Sequence, residues 1–81
     1  MATGIIYEYD GYLIDIVATR NDHIMKWSAE YRIDKNGTLY RGETGFFDSQ
    51  EIAEDEARHD ARHYILDNLP PGNRTHSSTT V

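Results

Sequence analysis

Residues 25–33 alternate apolar and polar side chains with the two-residue period of a strand. Met25, Trp27, Ala29, Tyr31 and Ile33 fall on one face, and Lys26, Ser28, Glu30 and Arg32 on the other. One apolar side and one charged side predict a sheet that buries a single face. Residues 12–19 are rich in β-formers and divide the same way: Tyr12, Ile14, Ile16 and Ala18 against Leu13, Asp15, Val17 and Thr19. The polar run Arg20-Asn21-Asp22-His23 separates these strands. Asp34-Lys35-Asn36-Gly37 follows the second, and its Asn-Gly pair suits a tight type I′ hairpin. That places a third strand over 38–43, with Tyr40 inward and Leu39 and Arg41 outward.

Residues 5–9 can add a short leading strand, turned back at Asp10-Gly11, or can extend the first strand through a bend at Gly11.

The period then changes. Asp48 stands at the N-cap position with Glu51 three residues on, the spacing of a capping box. Phe47 and Ile52 have the spacing of a hydrophobic staple. Glu51, Glu54, Asp55 and Glu56 crowd the first turns, where the helix dipole favours negative charge, and Glu54 is placed to pair with Arg58. Ala53, Ala57, Ala61, Tyr64 and Asn68 lie within ~60° of one line at ~100° per residue. This alanine seam lets the helix sit close to the sheet. Pro70-Pro71-Gly72 ends the helix near Asn68 or Leu69. The Ser/Thr-rich residues 70–81 read as a disordered tail, which leaves 1–69 as a single domain.

The predicted fold is therefore α+β: a three-stranded antiparallel β-meander, with room for a short extra N-terminal strand, packed against one C-terminal helix. Its expected core is Ile14, Ile16, Met25, Trp27, Tyr31, Tyr40, Tyr64 and the alanine seam.

Four motifs together resemble those of a family of short bacterial hypothetical proteins. They are Tyr9-Asp10-Gly11-Tyr12-Leu13-Ile14, then Trp27-Ser28-Ala29, then Phe47-Asp48-Ser49 leading into Glu51 and Ala53, and last Ala61 with Tyr64-Ile65. Tyr64 departs from that family, where the last aromatic is often Trp. The resemblance spans roughly residues 7–68 and implies the β-β-β-α layout, with no activity attached. The same element order is similar to plant-type DNA-binding domains that lay a three-stranded sheet in the major groove, and to small antitoxin partner domains. Fold analogy of that kind does not set function.

Composition narrows the chemistry. An 81-residue chain has the length of one domain, and without cysteine it has neither disulfides nor Cys-based zinc sites. No stretch is long and apolar enough to span a membrane, and the N-terminus lacks the pattern of a secretory signal, so a cytoplasmic protein is expected. The formal charge of −6 gives no general attraction to nucleic acid. The catalytic motifs of nucleophilic or phosphate-handling enzymes are absent, which predicts a non-enzymatic protein needing no cofactor.

Two constellations remain. Glu56, His59 and His63 share one helix face, and two imidazoles with a carboxylate can hold a divalent metal; the alternative is a solvated flank with the histidines paired to nearby acids. On the outer sheet face, Lys26, Arg32 and Arg41 would gather beside Leu13, Val17 and Leu39. Such a mixed patch suits a protein partner or a homodimer, with nucleic acid as the alternative. Its plain reading is a solvated face on which Asp15, Glu30 and Glu43 pair with these cations across strands.

Overall fold

The computed structural model describes residues 2–70. Four strands form one antiparallel sheet in the order β1-β2-β3-β4: β1 Ala2–Tyr9, β2 Tyr12–Asn21, β3 Lys26–Asp34 and β4 Thr38–Glu43. One helix, α1, runs over Gln50–Asn68 and packs across β2 and β3. Residues 71–81, where a disordered tail was expected, lie outside the described residues.

The leading segment is a full fourth strand of eight residues, not a bent extension of β2. Asp10 and Gly11 have φ of 52° and 83°, and Tyr9 pairs directly with Tyr12. Positive φ at both central residues is what a two-residue type I′ turn requires, and Asp-Gly supplies it at little cost. The tight hairpin of this fold is thus at Asp10-Gly11. Asn36-Gly37 is not the tight two-residue turn that its sequence suggests. Asp34 pairs with Thr38 but Ile33 pairs with Tyr40, so a three-residue loop is followed by a bulge that takes up the extra residue Leu39. Asn36 does adopt the left-handed conformation, at φ 59°.

Met25 is corrected out of the core. Asn21 pairs with Lys26, so residues 22–25 are loop, and Met25 sits there at φ 56° with 60 % of its surface exposed. The remaining inward positions of β3 follow the alternation: Ala29, Tyr31 and Ile33 are buried and Trp27 partly so. They meet Tyr12, Ile14, Ile16 and Ala18 of β2 and Ala53, Ala57, Ala61 and Ile65 of α1. The three alanines are fully buried, as a close helix–sheet approach demands.

After Glu43 the chain still follows β3. Thr44 N–H donates to the Ala29 carbonyl at 2.9 Å, and Ala29 N–H donates to Thr44 Oγ1 at 3.0 Å, the side chain standing in for a main-chain acceptor. Trp27 and Phe47 then exchange both backbone hydrogen bonds at 2.7 Å. This clamp holds Phe47 at the sheet, so the chain turns into the helix two residues later. The N-cap is accordingly Ser49, whose Oγ accepts from Ile52 N–H at 3.2 Å. Asp48, expected as the cap, pairs with Lys26 Nζ at 2.5 Å, and the staple spacing of Phe47 and Ile52 slips with it. That pairing holds the exposed Asp48 carboxyl below its ordinary value of 3.8. Arg58 bonds Asp55 at 2.6 Å, although the spacing had favoured Glu54.

The helix ends where Pro70 requires. Leu69 is extended at φ −114° and its N–H donates to the Ile65 carbonyl at 3.1 Å. Tyr12 Oη donates to the Pro70 carbonyl, tying the helix exit to the β1–β2 hairpin.

Candidate functional site

The helix covers one face of the sheet and, among the described residues, the other is bare. By register, Ile6 of β1, Asp15 of β2, Arg32 of β3 and Arg41 of β4 form one row across the bare face. Gly4, Val17, Glu30 and Glu43 form the next. Leu13 and Leu39 lie toward the opposite end and are about half exposed, while Ile6 is 66 % exposed. Four of the six outer-face residues singled out in the sequence therefore share this surface by register, Leu13, Val17, Arg32 and Arg41, and Leu39 stands in the bulge beside them. Lys26 does not join them, because Asp48 draws it to the β4–α1 connection.

The arginines are not a free basic patch. Arg32 Nη2 meets Asp15 Oδ2 at 2.9 Å, and its Nε lies 3.3 Å from Asp34 Oδ2 without hydrogen-bond geometry. Arg41 meets Glu30 at 3.3 Å. These pairs neutralise both guanidiniums locally, so the exposed apolar side chains of the face stand beside arginines that are already matched.

On α1, Glu56, His59 and Asp60 bring one ligand atom each within 4.8 Å of one another. Asp60 takes the place the sequence reading had assigned to His63. The His63 ring instead tilts against His59, with centroids 4.3 Å apart. One turn separates His59 from Glu56 and from His63, while Asp60 projects toward β3, where its charge reaches the Tyr31 phenol. Burial, that carboxylate and Tyr40 push the Tyr31 phenol up to about 12.

A third feature escaped the sequence reading. Between β1 and the flank of α1 lies a groove of about 360 Å³, lined by Tyr7, Tyr9, Asp55, Arg58, His59 and Arg62. Tyr7 and Tyr9 are two apart on β1 and face the helix side. Arg58 and Arg62 are one turn apart on α1. Burial raises the Tyr7 phenol above its ordinary value of 10.0, against the opposing influence of both arginines. Nothing local links Tyr7 to Arg62 in sequence. The i,i+2 tyrosines and i,i+4 arginines were visible signals, but only the register of β1 beside β2 brings them together.

No helix among the described residues is long and apolar enough to cross a membrane. No protein family matches this chain, and neither a curated protein nor a solved structure shows significant similarity to it.

Proposed function

We propose that this protein is a non-catalytic binding module that contacts a protein partner, or a second copy of itself, through the bare sheet face and the adjoining β1 edge. The observation that carries this reading is the exposure of Ile6, with Leu13 half exposed on the same face and Leu39 half exposed in the bulge beside it, on a face whose two arginines are already paired with Asp15 and Glu30. Exposed apolar groups among satisfied ion pairs are a surface that gains from losing water. The edge adds to it. β1 is eight residues long, contains neither proline nor a basic residue, and pairs on one side only among the described residues. Such an edge accepts another strand readily. β4, at the opposite edge, is shorter, bulged and carries Arg41.

Sedimentation of the wild-type chain and of the Ile6→Glu and Leu39→Glu variants, together with pull-down from a native lysate, tests the reading. Self-association or partner capture that the two variants abolish supports it. A strict monomer with the same captured proteins in wild type and variants overturns it.

Nucleic-acid binding has weaker support. Arg32 and Arg41 are cross-strand neighbours, which suits a phosphate backbone, but binding would have to displace Asp15, Asp34 and Glu30 from them.

A further inference from the structure

The groove between β1 and α1 lies on the opposite side of the sheet from the proposed contact face, and its chemistry is different. The helix packs over β2 and β3, so the inner face of β1 is left beside the helix flank rather than beneath it. The neighbours of Tyr7 and Tyr9 on β2, Ile14 and Tyr12, are buried under the helix; Tyr7 and Tyr9 themselves are only partly covered. Their rings form one wall of the groove and Arg58, Arg62 and His59 the other. At about 360 Å³ the space falls within the range of small-molecule sites.

Charge separates this flank from the rest of the protein. The chain carries a formal −6, and the opposite flank of α1 presents Glu56, Asp60 and Asp67. Here two guanidiniums stand one helical turn apart, both near enough to the Tyr7 phenol to act on its ionisation. The one carboxylate in the groove, Asp55, is held by Arg58 at 2.6 Å. Among the described residues Arg62 has no ion-pair partner. The groove thus offers one uncommitted guanidinium, a second shared with Asp55, and two phenols.

We propose that this groove binds a phosphomonoester carried on a planar ring, about the size of a nucleoside monophosphate. Arg62 and Arg58 take the phosphate and the tyrosine rings take the planar group. A guanidinium fork matches phosphate oxygens in a bidentate way, and a phenol adds a further donor. The Tyr7 hydroxyl stays protonated through the neutral range and so remains a donor there. Aromatic side chains beside the anion site hold a flat group by stacking, whichever ring it is. The contact surface of the preceding subsection is not needed for this site, and the two readings fail independently.

The test is a titration of the isotope-labelled full chain with AMP, adenosine and inorganic phosphate, each followed by NMR. AMP is expected to shift the Tyr7, Tyr9 and Arg62 resonances and to bind about ten-fold or more tightly than either fragment. Arg62→Gln, at an exposed position, should weaken AMP about ten-fold or more, the usual effect of removing one charge-assisted hydrogen bond. Arg41→Gln, on the far face, should leave AMP binding unchanged. Tyr9→Leu should narrow the gap between AMP and phosphate; where that variant does not fold, Arg62→Gln decides. Phosphate binding as tightly as AMP would reduce the groove to an anion patch and overturn the proposal. Adenosine binding as tightly as AMP, or an Arg62→Gln variant that binds AMP like the wild type, would overturn it equally.

Discussion

The ring of Tyr31 lies across its cross-strand partner Gly42. A Cβ built on Gly42 would come within 2.4 Å of the Tyr31 Cζ and Oη atoms. The missing side chain is what lets the ring lie flat over β4. Tyr31 is followed by Tyr40 at 6.1 Å between centroids, and Tyr40 stacks on Tyr64 at 3.8 Å and 14°. Three tyrosines from β3, β4 and α1 thus close the β4 end of the core, with Gly42 as their floor.

Gly42→Ala should therefore destabilise the protein although the site is only half-buried. The ring must tilt away from the new methyl and disturb the stack behind it, a change on the scale of overpacking at about 1–3 kcal/mol. Thermal melting checks this. A Gly42→Ala variant as stable as the wild type would show that the ring moves freely.

The helix start makes a sharper comparison. Ser49→Ala removes the acceptor of the Ile52 N–H and should cost about 1 kcal/mol. Asp48→Ala removes only an exposed ion pair with Lys26 and should leave the denaturation midpoint close to that of the wild type. The reverse order in urea denaturation would restore Asp48 as the cap.

The alanine seam admits no larger side chain. Ala57 is fully buried between Ala53 and Ala61 against the sheet, so Ala57→Leu should cost about 1–3 kcal/mol by pushing α1 off β2 and β3. Urea denaturation measures the cost. An equal effect from Leu at exposed Glu56 would show that the seam is not the cause.

Alkaline conditions should unfold the protein earlier than its acidic composition suggests. The Tyr31 phenol is raised from 10.0 to about 12 in the fold, and Tyr7 is raised too. The folded state then binds more protons than the unfolded one, so stability is complete below pH 10.0 and falls as the pH climbs toward about 12. Tyr31→Phe should flatten that fall, and a spectroscopic titration of the tyrosines alongside pH-dependent melting would measure both. A Tyr31→Phe variant with the wild-type alkaline profile would contradict the assignment.

Much of the fold was legible because it is encoded locally. The alternation over 25–33 places Ala29, Tyr31 and Ile33 inside, since a period of two allows no other face, and it fails only at Met25, which the turn takes out of the strand. The alanine spacing gives the buried line of α1, and Pro70 gives its end. Asp10-Gly11 could be read as a turn or as a bend in the first strand, and only the pairing of β1 with β2 chose the turn.

What the sequence could not decide depended on distant partners. Asp48 and Ser49 are both good caps in isolation; the bridge between Trp27 and Phe47 set where the helix could begin, and Lys26 drew Asp48 away. The sequence left Arg32 and Arg41 open between a basic patch and cross-strand partners of Asp15, Glu30 and Glu43, and the register chose Asp15 and Glu30. Tyr7, Tyr9, Arg58 and Arg62 became one groove only when β1 paired with β2 at a place the helix leaves uncovered. Local periodicity and turn chemistry act within a few residues, so the sequence by itself determined β2, β3, β4 and α1 and most of their buried faces, while the pairing that makes β1 a strand was decided by the tertiary structure. Ion pairs, caps and grooves join residues from separate elements, and for those the tertiary structure chose among partners that local chemistry leaves equivalent.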